Sequence, residues 1–217
     1  MNSRFVVFDL DGTLVDSMRD IAESANATLV ACGARPLADD AIARMVGDGA
    51  PLLVARAFIA AGCEKPRDAL ERFLAIYNGR LLKHTLPYDG IRELLEELAP
   101  RVALGVLTNK PTEATRRILD GLDLSRYFPA EQVLGGDGPF ARKPDPAGLQ
   151  HLMVCAGVPA ASTVLVGDSI VDWRTGKGAQ VSVCVARYGF GFEGFPAGEL
   201  PPDAWVADSA RDLRRYL

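Results

Sequence analysis

The sequence predicts an α/β fold, in which a parallel sheet flanked by helices receives an all-helical segment as an insertion. Short apolar runs alternate with helix-like stretches along most of the 217-residue chain, as is typical of strands buried on both faces of a parallel sheet. Residues 16–85, in contrast, carry only helical periodicity. The composition, 48% hydrophobic and 24% charged, excludes disordered, collagen-like and coiled-coil classes.

Six apolar runs are predicted to form the strands of the sheet. Most of them end at a glycine or a polar residue, as buried strands do where the chain returns to the surface. They are Phe5–Phe8, Val102–Leu107, Gln132–Leu134, Val164–Val166, Val181–Val185 and Trp205–Val206. Helical patterns lie between strands at Ile91–Leu98 and Pro146–Cys155. This alternation of strand and helix predicts that the strands run parallel.

Residues 16–85 are predicted to form four helices. Apolar residues recur at helical spacing within each. Glycine or proline separates one helix from the next, at Gly33, Gly47, Pro51, Gly62 and Pro66. We therefore expect two domains, a core of residues 1–15 and 86–217 and a helical cap of residues 16–85. The connections near Val15–Asp16 and Leu86–Pro87 are expected to act as hinges.

Charge and cysteine content exclude several classes of function. The formal net charge of -4 argues against a nucleic-acid partner, because phosphate backbones select basic surfaces. The four cysteines include no CxxC pair and the chain has two histidines, so we expect neither a zinc cluster nor a disulfide scaffold. Asp9 and Asp11 interrupt the short N-terminal apolar run, which fits neither a signal peptide nor a membrane span. These features predict a cytoplasmic protein without a membrane partner.

The most informative motif follows the first predicted strand. Asp9 and Asp11 alternate along the chain, so their side chains are expected on the same side, and Gly12 allows a sharp turn. Two carboxylates this close repel, which favours a bound cation or a division of roles. Asp9 is therefore a candidate nucleophile or metal ligand, and Asp11 a candidate proton donor and acceptor. A lone Asp-x-Asp is more often a strand end followed by a turn.

Three further polar motifs are expected at carboxyl ends of strands, where ligands bind to open parallel sheets. Thr108 and Asn109 could hold phosphoryl oxygens, or could cap a helix. Lys143 offers a point charge for phosphate or for crowded carboxylates, although exposed lysines are common. Asp168 and Asp172 lie one helical turn apart and suit a hard ion such as Mg²⁺. The alternative is that Asp168 caps a helix while Asp172 is exposed.

The order and spacing of the four motifs resemble the haloacid dehalogenase superfamily over essentially the whole chain. The resemblance implies a Rossmann-like core with an inserted cap, in agreement with the helical periodicity of residues 16–85. It implies that Asp9 forms an aspartyl-phosphate and that Asp11 is first the general acid and then the general base. It also implies that Thr108 and Asn109 bind the phosphoryl group and that Lys143 balances its charge. The implied Mg²⁺ ligands are Asp9, the Asp11 carbonyl and Asp168. Asp172 is implied either to bind the ion directly or to support the other ligands.

Within this superfamily, Asp at position 11 implies a phosphatase or a phosphomutase, because both protonate a leaving oxygen. Val46–Ala57 and Tyr77–Thr85 resemble the cap of phosphoglycolate phosphatases. Arg56 is expected to pair with a substrate carboxylate, or else to be a structural arginine. The predicted function is a Mg²⁺-dependent phosphatase acting on a small phosphorylated metabolite, with 2-phosphoglycolate as the first candidate.

Other functions remain open from the sequence. The same chemistry could act on pyrophosphate, a sugar phosphate or a nucleotide. A phosphomutase is disfavoured because His84, the cap imidazole, lies near a hinge, and a non-catalytic binding module is disfavoured because every motif residue is intact. Two features depart from the pattern or lack an explanation: Gln180 stands where relatives usually end a helix with Gly, and residues 188–202 have no assigned role.

Overall fold

The computed structural model describes residues 5–217. In chain order, its strands are β1 (Phe5–Phe8), β2 (Val15–Asp16), β3 (Leu86–Pro87), β4 (Ala103–Leu107), β5 (Val133–Leu134), β6 (Thr163–Gly167), β7 (Ser182–Ala186) and β8 (Trp205–Ala207). Its α-helices are α1 (Met18–Ala31), α2 (Asp39–Ala43), α3 (Ala50–Ala60), α4 (Ala69–Asn78), α5 (Ile91–Leu98), α6 (Thr112–Gly121), α7 (Ala147–Ala156) and α8 (Ile170–Ala179).

Six strands form one sheet in the order β5-β4-β1-β6-β7-β8. Every pairing in this sheet is parallel, which confirms the predicted α/β class. Val6 and Phe8 of β1 pack into one apolar cluster, whereas Phe5 and Val7 pack into a second. The sheet is therefore buried on both faces, as its continuous apolar strands predict.

The register of the central strands brings their carboxyl ends to one level. Phe8, the last residue of β1, pairs with Val106 of β4 on one side and with Val166 of β6 on the other. The polar residues that follow these three strands must therefore lie next to one another. Helix α5 has the predicted bounds, because Leu94, Leu95 and two further apolar residues form one buried face.

Helices α1 to α4 lie between β2 and β3 in the chain and pack mainly on one another. The two segments predicted as hinges pair as an antiparallel ladder, Val15 with Pro87 and Asp16 with Leu86. Asp20, buried at the start of α1, accepts hydrogen bonds at 2.8 Å from the backbone N–H of His84 and of Thr85 and from the Thr85 hydroxyl. These contacts tie the two ends of the helical segment together, while its assignment as a cap domain stays a prediction.

Helix α8 ends at Ala179, and Gln180 takes the left-handed conformation with φ 59°, so Gln occupies a position that usually favours Gly.

Among residues 5–217, no helix combines the length and apolar composition that a membrane crossing requires.

Candidate active site

The predicted motif residues meet at the carboxyl ends of β1, β4 and β6. Six of them are at most 8% exposed although all are polar: Asp9, Thr108, Asn109, Lys143, Asp168 and Asp172. A cavity of about 70 Å³ opens beside them, lined by Asp9, Asp11, Thr108, Asn109 and Asp168 together with residues of α1, α3 and α4. Polar groups buried this deeply need partners, and their partners define the site.

Lys143 joins two of the carboxylates. Its Nζ lies 2.9 Å from Asp9 Oδ1 and 2.6 Å from Asp172 Oδ1. Burial alone would lower the pKa of Lys143, but the Asp172 and Asp9 carboxylates outweigh burial and hold that pKa above its usual range. The ammonium group therefore stays charged in the interior, as the prediction of a lysine among crowded carboxylates requires.

Asp9 presents its two carboxylate oxygens differently. Oδ1 accepts a hydrogen bond from the Leu10 N–H at 2.7 Å as well as from Lys143, whereas Oδ2 has no hydrogen-bond partner in the described part of the chain. Burial raises the pKa of Asp9 to about 6; Lys143 lowers it, and Asp172 and Asp11 raise it further. One oxygen is thus held in place, and the other is available to a ligand in the cavity.

Asp9, Asp168 and Asp172 form a group of three buried acids. One carboxylate oxygen from each lies within 4.8 Å of the others. Burial, together with Asp172 and Asp9, holds the pKa of Asp168 well above its usual range. The raised pKa shows that the one positive charge of Lys143 does not compensate three buried carboxylates, so the ionised group requires a further cation. An all-oxygen donor set of this kind fits a hard divalent cation such as Mg²⁺.

Asp172 is neither exposed nor free. Its Oδ2 accepts hydrogen bonds from the Ser169 N–H at 3.1 Å and the Ser169 hydroxyl at 2.6 Å, while Oδ1 binds Lys143. Ser169, not Asp168, caps helix α8, in a reciprocal capping box with Asp172. The alternative of Asp168 as the cap and an exposed Asp172 is therefore wrong.

The segment after β7, which had no assigned role, packs over Asp168. The Gly191 N–H donates a hydrogen bond of 2.7 Å to Asp168 Oδ2. A side chain at Gly189 would overlap the Gly12 carbonyl oxygen and the Asp168 carboxylate, and a side chain at Gly12, which has φ 83°, would overlap Asp168. Glycines at these two positions allow two backbone segments to approach one carboxylate.

Thr108 and Asn109 do not cap α6, whose N-cap is Pro111. The Thr108 hydroxyl oxygen accepts a hydrogen bond from the Lys110 N–H, which leaves the hydroxyl proton free to donate. The Asn109 side-chain amide donates to the Gly47 carbonyl at 2.9 Å and to the Lys143 carbonyl at 3.0 Å. Asn109 thereby connects the loop before α3 to the backbone of the buried lysine.

Asp11 contacts a residue that sequence reasoning missed. Its Oδ1 accepts a hydrogen bond from the Ser17 hydroxyl, and its Oδ2 lies 2.9 Å from Lys110 Nζ. Lys110 also donates to the Tyr77 hydroxyl, from helix α4. Burial would lower the pKa of Lys110, but Asp11 and Tyr77 outweigh burial and raise it. The only signal in the sequence is that this lysine directly follows Thr108 and Asn109.

Arg56 is not brought to the cavity that Asp9 lines. Its guanidinium pairs with Asp48 at 2.6 Å and donates to the Met45 carbonyl at 3.2 Å. It lines a neighbouring cavity of about 230 Å³. Gly47 and Gly49, in contrast, line the cavity beside Asp9. The role of Arg56 toward a substrate carboxylate stays a prediction.

Comparisons with known proteins agree with this arrangement. The profile of the family described as haloacid dehalogenase-like hydrolase matches residues 6–186. A phosphoglycolate phosphatase of Rhodospirillum rubrum is 45% identical over 87% of this chain and 81% of its own length, and one of Pseudomonas fluorescens is 37% identical over 97% and 78%. A Haemophilus somnus crystal structure, described as a predicted phosphoglycolate phosphatase, superposes with a TM-score of 0.89 at 29% identity, covering 100% of this chain and 98% of that one. The chain therefore belongs to the haloacid dehalogenase-like hydrolases.

Proposed function

We propose that this hydrolase is a Mg²⁺-dependent phosphatase that cleaves 2-phosphoglycolate through an aspartyl-phosphate on Asp9. The observation that carries the proposal is the unequal hydrogen bonding of the two Asp9 carboxylate oxygens. One of these oxygens is held by Lys143 and the Leu10 N–H, while the other has no hydrogen-bond partner among residues 5–217 and lies beside the cavity. The choice of 2-phosphoglycolate as substrate rests on the relatives, which are named phosphoglycolate phosphatases. The geometry supports the chemistry, because phosphoryl transfer depends on positioning and charge neutralisation.

In the first step, Asp9 Oδ2 attacks phosphorus and the bond from phosphorus to the ester oxygen breaks. Asp11 donates a proton to that oxygen, and glycolate leaves. In the second step, water attacks phosphorus, Asp11 takes a proton from the water, and the bond to Asp9 breaks to release phosphate. Each proton that Asp11 gives in the first step is thus recovered in the second.

The phosphoryl oxygens are held by groups around Asp9. The Thr108 hydroxyl and the Lys143 ammonium are the proposed side-chain donors. Asn109 contributes through its backbone N–H, because two carbonyls already engage its side-chain amide. These donors act in a buried site, where a preorganised hydrogen bond is worth more than in water.

The residues proposed to hold Mg²⁺ are Asp9, Asp168 and the backbone carbonyl of Asp11. A bound Mg²⁺ neutralises charge on the phosphoryl oxygens. Asp172 is proposed to support these ligands without contacting the ion, since Lys143 and Ser169 engage both of its oxygens. It orients the lysine that balances the charge of Asp9.

The size of the cavity favours a small substrate. At about 70 Å³, it has room for only a few water-sized groups. A two-carbon phosphate is closer to this size than a sugar phosphate or a nucleotide. The helical segment 16–85 is proposed to act as the cap that encloses the part of the substrate beyond the phosphoryl group.

The test is phosphate release by the wild-type protein from 2-phosphoglycolate, pyrophosphate, a hexose phosphate and a nucleoside monophosphate. We expect the highest kcat/KM for 2-phosphoglycolate, with activity lost on chelation and restored by Mg²⁺. Preference for another member of the panel would overturn the substrate but leave the phosphatase standing. Full activity in protein shown to be metal-free would overturn the metal requirement.

A further inference from the structure

An enzyme that prefers 2-phosphoglycolate must recognise a carboxylate as well as a phosphoryl group. The groups around Asp9 account for the phosphoryl group alone. The carboxylate lies one methylene from the ester oxygen, so it enters the cavity with the leaving group. Removing its charge from water is costly unless a cation or converging donors replace the lost hydration. The cavity must therefore supply such a group near Asp11.

Lys110 is the one cationic side chain that lines this cavity among residues 5–217. Two other cations near the site are absent from the lining of this cavity. Lys143 lies between Asp9 and Asp172, and Arg56 pairs with Asp48 in the neighbouring cavity. Lys110 itself is 7% exposed, so its charge is little screened by solvent.

The position of Lys110 matches the position of the carboxylate. Its Nζ lies 2.9 Å from Asp11 Oδ2, the acid proposed to protonate the ester oxygen. A group that reaches this acid also reaches a substituent one methylene away from the ester oxygen. The side chain of Lys110 is thus placed beside the acid that would serve the leaving group.

Tyr77 adds a second donor at the same point. Its hydroxyl oxygen accepts a hydrogen bond from Lys110, so its own proton is free to donate. Burial raises the pKa of Tyr77 to about 12, although Lys110 lowers it, and the phenol therefore keeps that proton. Stacking on Phe73, with ring centroids 5.6 Å apart, holds the ring on the helical side of the cavity.

We propose that Lys110 and Tyr77 form the subsite that binds the carboxylate of the substrate, an assignment that rests on the proposed function. The subsite selects small phosphomonoesters whose leaving group is a 2-hydroxy carboxylate. Its two residues come from opposite sides of the cavity and meet there, because Lys110 follows β4 whereas Tyr77 belongs to α4.

The experiment compares 2-phosphoglycolate with its carboxamide, which has the same phosphoryl group and nearly the same size but no carboxylate charge. In Lys110→Met, any loss caused by the broken contact with Asp11 affects both substrates. The ratio of their kcat/KM values therefore isolates recognition of the carboxylate. We expect this ratio to fall by about 10- to 150-fold in Lys110→Met, the range of a charge-assisted hydrogen bond, and by about 2- to 10-fold in Tyr77→Phe.

Two further variants sharpen the result. Lys65→Met removes an exposed lysine and should keep the wild-type ratio, and Arg56→Met tests the competing arginine. An unchanged ratio in Lys110→Met, or a collapse of the ratio in Arg56→Met, would overturn the subsite. If Lys110→Met does not fold, Tyr77→Phe decides, since an unchanged ratio there also counts against the proposal. A wild type that ignores the carboxylate refutes the proposed substrate itself, and the subsite with it, before any variant is made.

Discussion

The two sides of the cavity are built from different interactions. On the strand-end side, charged groups from separate segments bind one another, as Lys143 does with Asp9 and Asp172. On the helical side, α1, α3 and α4 contribute mostly apolar side chains, namely Ile21, Ala50, Leu53, Phe73 and Leu74, with Tyr77 and Asn78 as the polar residues. Under the proposed function, paired charges govern the chemistry on the strand-end side, whereas packing on the helical side governs which substrates fit.

The largest effect is expected on the strand-end side, from Lys143→Met. This variant leaves Asp9 and Asp172 buried without their cation, which typically costs about 3–5 kcal/mol of unfolding free energy. Phosphate release should be lost as well. Denaturant unfolding measures the first effect, with Lys65→Met as the control that removes an exposed lysine. A Lys143→Met protein as stable as the control would mean that the ion pairs do not hold this side together.

The burial of Asp9 beside Lys143 predicts a pH dependence in metal-free protein. Burial raises the pKa of Asp9 from 3.8 to about 6, so the folded protein binds this proton more tightly than the unfolded chain. The contribution of Asp9 to stability is then complete below pH 4 and is lost as the pH rises through 6. The deficit of Lys143→Met should therefore be largest above pH 6 and should shrink toward pH 4.

On the helical side, Leu53→Ala should change selectivity more than chemistry. Leu53 is buried and lines the cavity, so truncation costs about 2–5 kcal/mol and enlarges the space beside Asp9. The kcat/KM for a hexose phosphate should rise relative to 2-phosphoglycolate. Leu95→Ala removes an equally buried leucine from α5, away from the cavity, and should leave this ratio unchanged. Equal ratios in both variants would contradict a role for the helical side in selection.

A smaller effect on stability is expected from Gly189, where the backbone after β7 packs against Asp168. Gly189→Ala places a methyl group against the Gly12 carbonyl and Asp168, and such overpacking costs about 1–3 kcal/mol. Because Asp168 must move, calorimetry should also detect weaker Mg²⁺ binding. Gly194→Ala, five residues away with open space around its Cβ position, is the matched control. Mg²⁺ affinity that is equal in both variants would show that this segment does not position Asp168.

The smallest effect lies outside both sides of the cavity. Gln180→Gly should stabilise the protein by about 0.5–1 kcal/mol, because Gly adopts the left-handed conformation of this exposed position without steric strain. Thermal unfolding measures the gain, and kcat should not change. A loss of stability would indicate that the flexibility of Gly in the unfolded chain outweighs the relief of strain.

The two sides also differed in how far the sequence could predict them. The strand-end residues were predictable, because each follows an apolar run and parallel strands bring such positions together. The contact of Lys110 with Tyr77 joins residues 33 positions apart and depends on how α4 packs, which no local pattern records. The burial of Asp172 likewise depends on Lys143, and the contact of Gly191 with Asp168 on the path of the chain after β7.

The most direct test of the account is to locate the phosphoryl group during turnover. Wild-type protein with Mg²⁺ and 2-phosphoglycolate would be quenched in acid within one turnover, and its peptides analysed by mass spectrometry. We predict a phosphoryl group on Asp9, absent from an Asp9→Asn protein that remains folded and has lost activity by about 10³-fold or more. A phosphoryl group on another side chain, or phosphate release that continues in Asp9→Asn, would contradict the account.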